Sequence, residues 1–183
     1  MTRRRGGPVA AIPLALAVVA GCHTGNDWHP NAPFAPSLRP AFGARVTDGE
    51  LRIWTGSRCT GVKRLALSFE PYPAELVLTS ERGAEVEHLT LGGQYPGLEV
   101  SRPLPSGFDW HHEDSMRISI YGVAGGGGLG SSTDLAEVID GSDQHPVDTY
   151  WFQGVGWLDP GEVAAKDGKT FLATCTPDPA KKK

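Results

Sequence analysis

The densest run of chemically able side chains is Asp109-Trp110-His111-His112-Glu113-Asp114. Imidazole nitrogens and carboxylate oxygens are ligands for zinc or copper, and they are also the parts of a general acid–base pair. Neighbours on a strand point to opposite faces, so only alternate members would share a site there; a turn would bring more of them together. The chain has no His-Glu-x-x-His and no second histidine pair. The run is rich in turn formers and reads first as a solvated loop, with Trp110, His111, His112 and Asp114 as candidate ligand contacts. No resident metal or cofactor is expected.

Other chemistry is thinner. Gly-x-Ser-x-Gly is absent, and Ser57, Ser106 and Ser142 lie in turn-like stretches. His88 and His145 are each a possible base, but sequence alone does not bring either to a nucleophile. Gly125-x-Gly127-x-x-Gly130 has the spacing of a dinucleotide-binding loop, with a potential helix over Thr133 to Ile139. No parallel βαβ pattern surrounds it, so it reads as a glycine-rich loop without side chains to pack. Trp54, Trp110, Tyr150, Trp151 and Trp157 combine apolar area with polar tips. They suit either core packing or a platform for sugars; Tyr150 and Trp151 join the candidate contacts.

These side chains must be delivered to a compartment. Arg3, Arg4 and Arg5 precede an apolar run of eleven residues, Val9 to Val19, interrupted by Pro13. At helical rise the run reaches about 16 Å, short of a hydrocarbon core of about 30 Å. A charged head, a short apolar run and small residues before a cleavage point read as an export signal. Val19-Ala20-Gly21-Cys22 resembles the lipobox of bacterial lipoproteins. The resemblance implies cleavage before Cys22 and diacylglyceryl attachment to its sulfur, with two or three acyl chains holding the protein to a bilayer. A twin-arginine signal fits less well, because Gly6-Gly7-Pro8 follow the arginines.

Removing residues 1–21, which carry three arginines and no acids, would leave 162 residues with 14 basic and 21 acidic side chains, a formal charge of −7. That is one domain plus a tether. An acidic body makes nucleic acid an unsuitable partner, since phosphate neutralisation needs clustered Lys and Arg. Lys181, Lys182 and Lys183 form a lysine tail that reads as a solvated end, with anionic lipid or wall polymer as the alternative. With Cys22 assigned to the anchor, Cys59 and Cys175 remain to form one disulfide, which export permits.

Residues 22–44 hold Pro30, Pro33, Pro36 and Pro40 and no apolar period, which reads as a tether partly in polyproline II. Beyond it the period becomes two. Leu51 and Ile53, then Leu65, Leu67 and Phe69, then Met116, Ile118 and Ile120 alternate with other residues. Such alternation predicts half-buried strands. Leu76-Val77-Leu78 reads as a strand buried on both faces, Glu85 to Leu91 as one with mixed faces, and Tyr150 to Phe152 and Phe171 to Cys175 complete the set. Turn signals stand between them, at Arg82-Gly83 and Pro96-Gly97 among others. The fold class expected is all-β, an antiparallel sandwich or barrel-like domain over 45–177, with 178–183 as the tail. Asp159-Pro160-Gly161-Glu162 has the cap, proline and N3 glutamate of a helix start and predicts at most a short helix. The disulfide resembles the inter-sheet bridge of immunoglobulin-like domains, but with a much longer separation.

Leu51 to Cys59 and Asp167 to Cys175 resemble segments of actinobacterial envelope lipoproteins to which no activity is assigned. That resemblance implies a lipid attachment at Cys22 and no catalytic residue. The expected protein is a lipid-anchored, non-enzymatic binding or accessory module on the outer face of the cytoplasmic membrane. Its partners would be the bilayer, through the Cys22 acyl chains, and an envelope protein or wall glycan. The alternative is an envelope hydrolase or metal-binding protein using loop histidines His111 or His145.

Overall fold

The computed structural model describes residues 36–123 and 130–181. The signal, the lipobox with Cys22 and the glycines 125–128 lie outside the described residues. In chain order the elements are β1 (Pro40–Ala41), β2 (Gly43–Thr47), β3 (Glu50–Glu70), β4 (Ala74–Thr90) and β5 (Glu99–Arg102). A 3-10 turn (Trp110–His112) leads to β6 (Ser115–Tyr121), β7 (Ser131–Asp134) and α1 (Leu135–Ser142). The chain ends with β8 (Tyr150–Phe152), β9 (Gly156–Leu158), α2 (Pro160–Lys166), β10 (Leu172–Ala173) and a 3-10 turn at Pro179–Lys181.

The architecture grows from one long antiparallel hairpin. The two strand runs read at Leu51–Trp54 and Leu65–Phe69 are a single 21-residue strand, β3. The runs at Leu76–Leu78 and Glu85–Leu91 are likewise one strand, β4. The expected turn at Arg82-Gly83 is instead a bend inside β4. Pairing between the two strands slips three times, between Trp54 and Cys59, Cys59 and Val62, and Val62 and Arg64. Extra residues in a ladder bend it and increase its twist. Gly56, Gly61 and Gly83 sit there at φ of +77°, +74° and +88°, which side chains with a Cβ rarely adopt. Gly83 also passes so close to the Gly61 backbone that a Cβ would lie 3.0 Å from its Cα.

Either side of the bend the hairpin recruits different neighbours. The first half of β3 pairs with β2, which continues to β8 and β9. The second half pairs with β6, which continues to β7, while β5 adds to the first half of β4. The result is a mostly antiparallel, sandwich-like β-fold. Leu51, Ile53, Leu65, Leu67, Phe69, Met116, Ile118 and Ile120 are all buried in one main core, as their alternation predicts. Leu76, Val77 and Leu78 are buried together, matching a strand covered on both sides.

A second, smaller core lies on the reverse of the β2–β3–β8 region. Trp54, Phe152, Leu158, Val163, Phe171, Ala41 and Ala173 form it. It is roofed by β1 and β10, which pair in parallel with Pro40 opposite Leu172. The folded domain therefore begins by Pro40, earlier than the boundary at 45, and Ala41 to Ala44 are buried rather than part of the tether. Two short α-helices lie among the described residues. Asp159 caps α2 with the reciprocal bonds of a capping box, and Asp134 caps α1 by accepting from Ala136 and Glu137.

Cys59, fully buried at the bend, is bonded to the half-buried Cys175, 116 residues away. Around that bond the segment 172–176 lies along the bend of β3. The Thr174 N–H donates to the Thr55 carbonyl, and the Thr176 hydroxyl bonds Asp167 at 2.5 Å and Ser57 at 3.2 Å.

Candidate functional site

The 109–114 run is a turn, not a strand, which changes which members meet. Asp109 caps the 3-10 turn by accepting the His111 N–H at 3.1 Å, and its carboxylate lies 2.6 Å from His111 Nδ1. His112 Nδ1 stands 3.5 Å from the other carboxylate oxygen. Two consecutive imidazoles thus face one carboxylate. The hydrogen bond from the His111 side chain, helped by the His111 backbone and by both imidazoles, holds the Asp109 carboxyl below its usual range. The His111 ring also stacks on Trp110, centroids 3.8 Å apart.

The remaining members turn away. Trp110 is buried in the main core. Glu113 is buried and accepts the Tyr72 N–H at 3.2 Å. Asp114 is exposed, and its backbone ties the turn to the end of β3 and the start of α1 by donating to the Glu70 carbonyl and accepting from Leu135. Of the contacts read from sequence, His111 and His112 stay at the surface around Asp109, while Trp110 serves packing. Asp109–His111 has the form of a base and its orienting acid, but neither histidine is hydrogen-bonded to a hydroxyl or thiol among the described residues. Nor do three or more His, Cys, Asp or Glu come together there to hold a metal ion.

Tyr150 and Trp151, adjacent in sequence, fall on opposite faces of β8. Tyr150 joins the reverse side, 5.5 Å from Trp54 between ring centroids, where His88 stacks on Trp54 at 5.7 Å. Gly43 makes this possible: it pairs with Trp54 on one side and Phe152 on the other, and a Cβ there would stand 2.8 Å from the Tyr150 Cβ. The missing side chain leaves a slot across which the rings meet. Trp54 is almost fully buried, and its Nε1 has no hydrogen-bond partner among the described residues. His88 is exposed at the edge of this group. Sequence reading placed His88 on a strand of mixed faces; its pairing with Trp54 needed the register of β3 against β4.

Trp151 belongs to the other side, with Trp157 at 6.0 Å and its Nε1 donating to Gln153 at 3.2 Å. His145 stacks on Trp157 at 4.5 Å, and its Nδ1 lies 2.9 Å from the Gly141 carbonyl. Beneath them the buried Arg45 guanidinium donates to four carbonyls, of Ser142, His145, Pro146 and Thr149, at 2.6–3.2 Å. It thereby satisfies the C-terminal end of α1 and fixes the loop into β8. His145 is part of that structural clasp, not of a site shared with His111.

An open groove of about 890 Å³ runs along Thr79 to Gly83 and Gly97 to Glu99. None of the candidate ligand contacts read from sequence lines it.

The chain matches no known protein family, curated protein or solved structure in these comparisons. The side chains themselves carry the functional argument. Of the five aromatic residues read as a possible platform, Trp54 and Tyr150 pack on one side, Trp151 and Trp157 on the other, and Trp110 lies apart beside His111, while the four histidines among the described residues occupy three places.

Proposed function

We propose that the protein is a cell-envelope lipoprotein, held on the outer face of the cytoplasmic membrane by acyl chains on Cys22. Its β domain acts there as a non-enzymatic binding or accessory module for an envelope protein or wall glycan. The observation that carries the reading is the Cys59–Cys175 bond. It accounts for two of three cysteines and leaves Cys22, within the lipobox-like Val19-Ala20-Gly21-Cys22, as the one remaining cysteine. A stable disulfide suits an oxidising compartment, and so supports export. One acyl chain holds a protein marginally, so the two or three chains of a lipoprotein cysteine are what anchoring requires.

Mass spectrometry of the native protein tests this. The expected species begins at Cys22 and carries diacylglyceryl mass, and Cys22→Ala abolishes metabolic labelling with a fatty-acid analogue. A chain that retains Met1, partitions to the cytosol and carries three free thiols would overturn it.

The Asp109–His111 bond favours a second reading, an envelope hydrolase or metal-binding protein at that turn. Titration with zinc and copper decides it: a melting shift lost in His111→Ala supports the second reading, and no shift with either metal counts against its metal-binding form.

A further inference from the structure

β5 rejoins β4 over only three register pairs, Val77 with Arg102, Leu78 with Val100 and Thr79 with Glu99. Continued, that ladder would set Leu98 opposite Ser80 and Gly97 opposite Glu81. Instead the two segments part. Residues 80–83 have no ladder partner in β5, and none in β3, where the register steps from Arg64–Thr79 to Val62–Ala84. Four residues of β4 thus stand against Lys63 alone, and the surplus bulges out of the ladder. The Gly83 N–H closes the bulge by donating to the Ser80 hydroxyl at 3.1 Å. Between the bulge and the approach to β5 lies the groove of about 890 Å³. Beyond it, no described strand pairs with the outer edge of β4 as far as Thr90.

The groove also holds unmatched charge. Arg82 is exposed and, among the described residues, is the one arginine without a hydrogen bond, ion pair or ring contact. Glu81 and Glu99 line the groove with it, yet neither is ion-paired. Lys63 reaches the bulge from β3 and donates to the Glu81 carbonyl, not to a carboxylate. The bulge wall therefore carries Lys63 and Arg82 against Glu81, a net of one positive charge, and the facing wall carries Glu99. Gly83 and Gly97 leave main chain bare on both walls, and Leu98, buried in the main core, adds an apolar patch. We infer that the groove takes an extended polypeptide segment, laid along the open edge of β4, with an acidic side chain of that segment meeting Arg82. The inference rests on the binding-module reading above and gives its protein partner a seat. An unpaired edge offers main-chain hydrogen bonds to any sequence, and the side-chain contacts select among sequences. A carboxylate matches the planar fork of a guanidinium, whereas a neutral glycan would leave Arg82 without its counter-charge. The outer edge of β5 is a poorer seat, because Glu99 and Arg102 charge its ends, its pairing slips at Ser101, and Pro103 follows.

The test is an NMR titration of the polypeptide from Cys22 onward with two capped pentapeptides, acetyl-Thr-Val-Glu-Val-Thr-amide and its counterpart with Lys in place of Glu. The Glu peptide should move the amide signals of residues 79–83 and 97–99, and the Lys peptide should bind more weakly. Arg82→Ala should weaken the Glu peptide about tenfold, and Arg82→Glu should reverse the preference. Arg82 is exposed, so both variants keep the fold. Four outcomes would overturn the proposal: no movement at millimolar peptide, equal response to both peptides, no effect of Arg82→Glu, or movement confined to Trp54, His88 and Tyr150. So would the same amides responding to a wall-glycan oligosaccharide, or to protein concentration alone, since a glycan or a second copy would then be the occupant. Acylation plays no part in this measurement. A bare Cys22 in the native protein removes the anchor and leaves the groove standing, and a silent groove leaves the anchor standing.

Discussion

The two cores are built by different rules. The main core is made by the β3–β4 hairpin and β6, where consecutive inward residues come from three strands that pair over long registers. The smaller core is made by pieces from the two ends of the domain, Ala41 from β1, Phe171 beside β10 and Ala173 within it, closed over the backs of Trp54 and Phe152. Its strands are two residues long, and its hold comes from the Asp167 and Thr176 bonds and the disulfide. A core assembled from short pieces is the part expected to open locally, before the long ladder does.

The largest break in this comparison is removal of the disulfide by the double change Cys59→Ser with Cys175→Ser. Freeing a loop with a separation of 116 residues costs about 4–5 kcal/mol in the chain-entropy account. Chemical denaturation should show that loss, and hydrogen exchange should quicken first at residues 36–41 and 167–176. Next, Phe171→Ala and Phe69→Ala remove rings of equal size, both buried, one from each core. Each should cost about 3–4 kcal/mol. Exchange separates them: Phe171→Ala should loosen the terminal strap alone, while Phe69→Ala should lower protection throughout β3, β4 and β6. Uniform loss in both would erase the distinction between the cores.

Arg45→Met leaves four carbonyls without their cation and should cost about 3 kcal/mol, seen as a lower melting temperature and a mobile 142–149 loop. The smallest effect belongs to Asp109. Its carboxyl is depressed by His111, so its contribution to the turn is complete above the ordinary carboxylate range and lost as pH falls through the depressed value. Because the group is exposed, NMR titration is the suitable probe. His111→Ala should return the Asp109 titration toward the usual range with little change in stability.

Alternation made the strands legible: every apolar position in Leu51–Ile53, Leu65–Phe69 and Met116–Ile120 that was read as inward is buried. The bend was not legible. Arg82-Gly83 looks like a turn, and a turn was expected there, where the ladder in fact continues through a slip of register. In sequence Trp54 stays open between core packing and a platform for a related reason. On a strand with one wet face it would point outward, but the terminal segments cover that face, and no local pattern announces a roof whose β10 part lies more than a hundred positions away. The 109–114 run shows the converse. Residue types flagged the cluster, yet only the 3-10 turn decides that Asp109 meets both imidazoles while Trp110 and Glu113 go inside.

Parallel docking of β1 against β10 also bears on how the domain would carry a mechanical load. Tension arriving from the Cys22 side meets Ser37 first, and passes through its bonds to Asp178 and through the Arg39–Leu172 bond before it reaches β2. From β10 the covalent sulfur link hands the force to the middle of β3. A tug arriving at Ser37 is thereby shared by two routes into the longest ladder of the fold, instead of peeling one edge strand at a time.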